Sequence, residues 1–374
     1  MVWPVIGLVG VGFLLSFGLT FIVRAVALRL DFVDKPGGRK VHAKVTPLGG
    51  GVAIFWAMVL PLLGVVALPY VVPVDHLLRD YVGGIAVQTR LLLTIVGAVA
   101  AMHVLGLIDD HRAMGPYTKL LAQFLIAGGL VGLTDLRVLT TLGPVVSAGV
   151  TVMWIVAITN AFNFLDNMDG LSAGIAAVTS LAFLITTLLI GQFFVAAALA
   201  LLLGACLGFL CFNFAPASIF MGDSGSLVLG FLLAVLTVRT TFLPPGEDLV
   251  SSWYTVFAPV MVLAVPLYDL VVVSVIRMSQ GRSPFKGDTN HFSHRLVRRG
   301  MSKPGAVLCI YLITGTTAAA AVVLPHVHSG FAACVLFAQT VMILAVIFVL
   351  ERGRNLVVFP EGKASVGGGG GGKP

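Results

Sequence analysis

The sequence predicts an all-α integral membrane protein with about 10–11 transmembrane helices, its N-terminus outside and its C-terminus cytoplasmic. Three observations predict it. Of 374 residues, 58% are hydrophobic and only 10% are charged, where a soluble domain carries about 25% charged residues. The apolar residues fall into runs near the length of about 20 that a helix needs to cross a bilayer. The basic residues collect between alternate runs.

Taken in order, the runs lie near 2–23, 47–68, 91–108, 119–134, 143–159, 171–190, 192–211, 227–243, 254–276, 305–325 and 331–350. The first has no charge before Arg24 and is long enough to span, so it reads as a helix and not as a cleaved signal peptide. With the N-terminus outside, the inner loops and tail hold 19 of the 23 Lys and Arg; the outer side keeps Arg79, Arg90, Arg137 and Arg239. Residues 1–350 read as one polytopic domain, and 351–374, with its Gly367–Gly372 run, as a flexible cytoplasmic tail. The net charge of +7 marks inner loops of a membrane protein, with no nucleic-acid partner implied. Cys206, Cys211, Cys309 and Cys334 lie in apolar runs without metal-ligand spacing, so they read as packing residues. The Gly204–Gly208 spacing predicts close helix packing, within the chain or in a homodimer.

Every notable polar motif falls on the predicted inner side. Gly106-Leu107-Ile108-Asp109-Asp110 puts two adjacent carboxylates at a membrane boundary, where a divalent cation or a cationic group would offset their repulsion. Lys119 follows two helical turns on, as a phosphate contact or a snorkelling lysine. From Asn160 to Gly170, polar residues recur in steps of three and four (Asn160, Asn163, Asn167; Asp166, Asp169), the pattern of one helix face lining a polar cavity. From Asn213 to Ser226, Gly222 and Gly225 bracket Asp223 in a small-residue loop that opens a span; such a loop lets backbone approach a phosphate, and Asp223 is a hard oxygen ligand of the kind Mg²⁺ takes. Phe220 is either a base-stacking or an interfacial aromatic. In Gly281–Arg295, a cap from Asp288, Thr289 or Asn290 predicts a short helix carrying His291, His294 and Arg295, groups suited to a diphosphate. Lys44 opens a Thr46-Pro47-Leu48-Gly49-Gly50-Gly51 segment that reads as an anion nest or a flexible turn. Asp269 lies two turns inside a span, functional by default or paired with a neighbour.

Together the motifs TPLGGG, GLIDDH, NAFNFLDNMDG, FMGDSGS and GRSPF…HFSH, in this order from Lys44 to Arg299, resemble the polyprenyl-phosphate N-acetylhexosamine-1-phosphate transferases, glycosyltransferase family 4. The resemblance implies a bacterial cytoplasmic-membrane enzyme. It would move a sugar 1-phosphate from a UDP-sugar to polyprenyl phosphate, with Mg²⁺ (or Mn²⁺) at a cytoplasmic site. It implies catalytic roles for Asp109, Asp110, Asp166, His291 and His294, and metal ligation by Asp223 with Asp166. It implies substrate contacts for Lys44, Lys119, Asn163, Asp169, Asn213, Phe220 and Arg295. GRSPF resembles the WecA/TagO-like branch, which implies UDP-GlcNAc, rather than MraY, which uses UDP-MurNAc-pentapeptide. Thr289 stands where that branch has Arg, and Ser293-His294-Arg295 replaces part of its histidine cluster. Two other classes fit less well. Tyr268-Asp269 and Gly222-Asp223 loosely match intramembrane aspartyl proteases, but position 220 is Phe and the motif order is reversed. An ion-coupled transporter would set its polar groups near the midplane.

Overall fold

The computed structural model describes residues 2–34, 45–71, 79–240, 242, 253–284 and 288–352. It is helical, with one two-residue antiparallel pairing of β1 (Val33–Asp34) and β2 (Thr46–Pro47). Among the described residues, nine helices are long and apolar enough to cross a membrane, or ten with one bent pair counted as a span. These nine are α1 (Val2–Arg29), α2 (Gly50–Val71), α3 (Arg79–His111), α4 (Pro116–Leu133), α5 (Pro144–Leu165), α6 (Leu171–Leu189), α7 (Phe193–Asn213), α12 (Lys303–Val323) and α13 (Gly330–Arg352). A further apolar helix, α8 (Asp223–Arg239), is 17 residues long. Each of the eleven apolar runs thus becomes a helix or, in one case, a broken one, and the chain is a multi-pass membrane protein.

The broken one corrects an expectation. The run 254–276 is not one straight helix: α9 (Ala258–Val262) and α10 (Ala264–Ser279), with the turn from Trp253, meet at a 69° bend. Pro266 explains it, because it offers no N–H to the Val262 carbonyl that a continuous helix would pair.

The core forms around α8. Every residue from Ser224 to Thr237 is buried, and α2, α3, α5 and α6 pack around it. Glycines set these distances where two helices meet nearly backbone to backbone. A Cβ on Gly106 of α3 would stand 2.5 Å from the Asp223 carbonyl carbon, and one on Gly51 would stand 2.2 Å from the Gly225 nitrogen. The Gly204–Gly208 stripe resolves within the chain. A Cβ on Gly204 would meet Val9 O at 2.1 Å, and one on Gly208 would meet Phe13 O at 2.4 Å, so α7 presents this face to α1. A last short helix, α11 (Phe292–Arg298), carries the histidine motif.

Candidate active site

The ends of α3 and α5 and the starts of α4 and α8 converge on one polar centre. Lys119 Nζ lies 3.0 Å from Asp109 Oδ2, donates also to Asp223 Oδ2, and reaches Asn163 Oδ1 at 3.4 Å. Asn163 Nδ2 in turn donates to Asp223 Oδ1 at 2.8 Å and to Ser226 Oγ at 2.9 Å. Asp109 also accepts the Met114 N–H across the α3–α4 turn. Helix α5 runs on to Leu165, so Asn160 and Asn163 lie on its last turns, but Asp166, Asn167 and Asp169 follow in the turn after it, which corrects the expectation of one helix face from 160 to 169. Asp223 keeps 26% of its side chain exposed, so the centre opens outward.

The two adjacent aspartates do different work. Asp110 accepts the backbone N–H of Asp223 at 2.7 Å and of Ser224 at 3.0 Å. Gly225 and Ser226 send their N–H groups to Gly222 O. The α8 N-terminus is therefore filled by Asp110, and the expectation that it receives a phosphate is corrected: its free donors are already spent. His103, two turns before Asp110 on α3, bonds Ser224 O through Nδ1 at 2.9 Å and stacks on Phe55. Gly222, at φ +75°, has no room for a Cβ, which would stand 2.6 Å from the Asp110 carboxylate. The Thr46–Gly51 segment braces the same turn from behind, with Gly50 N bonding Phe220 O, Gly51 N bonding Met221 O and Phe220 N bonding Pro47 O. Lys44 lies outside the described residues.

Asp166 follows the end of α5. Burial pushes its carboxyl well above the usual carboxylate range, and the charges of Asp223, Asp110 and Asp169 push the same way, against the Gly222 N–H. Asp169 accepts the Ala217 N–H at 3.0 Å. Asn213 is buried, taking the Gly170 N–H at 3.0 Å and donating to Ile219 O at 2.9 Å. Asp169 and Asn213 thus tie the 166–170 turn to the 215–220 loop. Phe220 is half-buried beside them.

The histidine motif docks on this assembly, with one correction. The helix starts at Phe292 with His291 at its N-cap, and no side chain of 288–290 caps it. Asp269, buried in α10, takes that role by accepting the Phe292 N–H at 2.6 Å and His291 Nδ1 at 2.8 Å. Arg277 Nη2 lies 3.2 Å from His291 Nε2, so both ring nitrogens of His291 are engaged. Arg277 also bonds Pro284 O at 2.6 Å and Asp288 at 3.0 Å, and its guanidinium lies over Phe164 at 5.0 Å. Ser293 Oγ donates to Asn167 Oδ1 at 2.5 Å, joining α11 to the stripe. Arg295 pairs with Glu351 and donates to Asn290 O. His294 has no hydrogen-bond partner among the described residues. Burial, with the charges of His291 and Arg298, pushes it down to about 4, so it is a neutral imidazole near pH 7.

The sequence points to no site role for Arg277, Glu351 or His103, and Ser226 enters only as the end of the Asp223 motif. Arg277 counts in the sequence only as an inner-loop charge, and Glu351 as the first residue of a flexible tail; the second expectation is corrected, because α13 runs to Arg352 and Glu351 pairs with Arg295.

Among the described residues, no group of three His, Cys, Asp or Glu side chains converges on a common point. The donor set nevertheless fits a hard cation. Asp109 and Asp223 both face Lys119, and Asp166 lies within the electrostatic reach of Asp223, so two pairs of carboxylates, Asp109–Asp223 and Asp166–Asp223, offer hard oxygen. Any ion there would share Asp223 with the lysine.

Residues 92–241, which carry this centre, match the description Glycosyl transferase family 4. The chain is 33% identical over 82% of its length, and 81% of the relative's, to the "Probable undecaprenyl-phosphate N-acetylglucosaminyl 1-phosphate transferase" of Bacillus subtilis strain 168. It is 34% identical over 82% of its length, and 78% of the relative's, to the "Decaprenyl-phosphate N-acetylglucosaminephosphotransferase" of Mycobacterium tuberculosis H37Rv. A "Phospho-N-acetylmuramoyl-pentapeptide-transferase" of Desulforudis audaxviator MP104C shares 32% identity over 74% of this chain and 88% of its own. With the ordered motifs and these relatives agreeing, the chain belongs to glycosyl transferase family 4, in its WecA/TagO-like branch.

Proposed function

We propose that the protein transfers N-acetylglucosamine 1-phosphate from UDP-GlcNAc to a polyprenyl phosphate. The transfer releases UMP and makes the lipid-linked first intermediate of a cell-envelope glycan. The observation that carries this reading is the Lys119–Asp109–Asp223–Asn163 network, set where an oxygen-rich, outward-open centre meets membrane-spanning helices. The names of the relatives supply the substrate class.

A phosphate monoester has a second pKa of about 6, so the lipid phosphate is mostly dianionic at neutral pH and needs no strong base. Its oxygen attacks the β-phosphorus of the UDP-sugar, the bond from that phosphorus to the bridging oxygen breaks, and UMP leaves with the electron pair. Such chemistry rests on positioning and charge neutralisation. Lys119, steered by Asp109 and Asn163, is the cation for the phosphate oxygens. Asp110 and His103 fix the backbone that aims Asp223. Mg²⁺ held by Asp223 with Asp166 would neutralise the diphosphate. His294, neutral, would donate or accept a hydrogen bond at the sugar or diphosphate without adding charge. The distribution of Lys and Arg supports an outer N-terminus and a centre on the cytoplasmic face of the bacterial inner membrane.

The test is transfer by the purified protein from sugar-labelled UDP-GlcNAc to undecaprenyl phosphate. Labelled lipid is expected with Mg²⁺ and not with EDTA. Product from UDP-MurNAc-pentapeptide and none from UDP-GlcNAc would keep the reaction and overturn the substrate.

A further inference from the structure

Helix α13 faces outward along most of its length, with Phe331, Met342 and Val349 all exposed, yet it ends in an acid whose side chain is only 4% exposed. A carboxylate at a helix C-terminus meets the negative end of the helix dipole, and burying it is costly. Local forces therefore oppose Glu351 where it stands, and its partners must offset them.

Those partners come from α11, from Arg299 just after it, and from Tyr268 of α10. Arg295 donates from Nη2 to Oε1 at 3.2 Å, and its Nε lies 3.0 Å from Oε2 as an ion-pair contact. Tyr268 donates to Oε2 at 3.0 Å, and Arg299 donates to the Glu351 carbonyl. Tyr268 adjoins Asp269, which holds the first N–H of α11 and His291. Two buried acids from different helices thus grip the seven-residue α11, Asp269 at its first turn and Glu351 at its last. Between them Ser293 bonds Asn167, one residue from Asp166.

We propose that Glu351 is a positioning residue for the nucleotide-sugar: through Arg295 and Tyr268 it seats α11, and with it the histidine loop, on the Phe164–Asn167 turn beside the reactive centre. The proposal rests on the transferase reading above. Glu351 touches no reacting atom, so its loss acts on donor binding more than on turnover.

The test pairs kinetics with amide hydrogen exchange on the purified full chain. Glu351→Gln is expected to raise KM for UDP-GlcNAc about tenfold. The KM for polyprenyl phosphate and kcat should stay within about threefold. The α11 amides should exchange at least tenfold faster, with α6 and α7 unchanged. The charge swap Glu351→Arg with Arg295→Glu should recover most of the donor KM. If Glu351→Gln does not fold, Tyr268→Phe removes one bond of the set and should raise the donor KM twofold to threefold. Unchanged donor KM with unchanged α11 exchange overturns the proposal, and so does a uniform loss of stability that the swap does not rescue. Exchange does not depend on turnover. An inactive wild type with faster α11 exchange in the variant would sink the transferase reading and the kinetic role, while leaving the latch.

Discussion

The Asp110 carboxylate holds the Asp223 backbone N–H at 2.7 Å, which fixes the residue whose side chain faces Lys119. Asp109, its neighbour in sequence, points to Lys119 itself. Asp109→Asn is therefore expected to cut kcat by about 10²–10³, as loss of a preorganised charge does, with thermal stability little changed. Asp110→Asn puts an amide N–H against a helix N-terminus and should cost about 1–2 kcal/mol of stability. Paired melting curves and rates for the two variants check this; equal melting temperatures with equal rates would contradict it.

Lys119 is the hub of the centre, with two carboxylates and an amide oxygen around its ammonium. Lys119→Met should reduce turnover by at least about 10²-fold, because it removes the phosphate's cation and leaves Asp109 and Asp223 facing each other. Lys119→Arg should recover only part of that, since a planar fork does not replace a point charge. Steady-state rates at saturating donor and lipid decide it.

His294 is pushed down to about 4 in the folded protein, against about 6.5 when unfolded. Between those values the unfolded chain binds the extra proton, so this residue's contribution makes stability rise with pH through the window and fall as pH drops from 6.5 towards 4. His294→Gln should flatten that part of the melting-temperature profile. A profile identical to wild type between pH 6.5 and 5 would count against the buried neutral imidazole.

The Gly204 face of α7 has backbone of α1 where a Cβ would go. Gly204→Leu should destabilise by roughly 1–3 kcal/mol or more through overpacking, without changing the assembly state. Size-exclusion chromatography with a thermal melt separates this from an interface between chains, where the mass would change first.

Much of this was legible in the sequence because membranes are strict. A carboxylate or amide at the end of an apolar run needs a partner, so Asp109, Lys119, Asn163 and Asp223 stand out in the sequence alone. Which partner each finds depends on helices far apart in the chain. Asp109 and Asp110 read alike, yet one faces a lysine and the other caps α8. Asn213 and Arg295 read as ligand contacts, and the fold also makes braces of them. His291 and His294 share a motif, but Asp269 and Arg277 occupy both nitrogens of the first. Pro259 and Pro266 were visible, but apolar composition alone draws a straight span through the bend between them.

The central claim is that a sugar leaves with its phosphate. UDP-GlcNAc labelled with ³²P at the β-phosphate, incubated with the protein, polyprenyl phosphate and Mg²⁺, distinguishes this from simple glycosyl transfer. The account predicts label in the lipid fraction and unlabelled UMP in the water phase, both lost in Asp223→Asn. Label that stays in UDP while GlcNAc moves to lipid would contradict it.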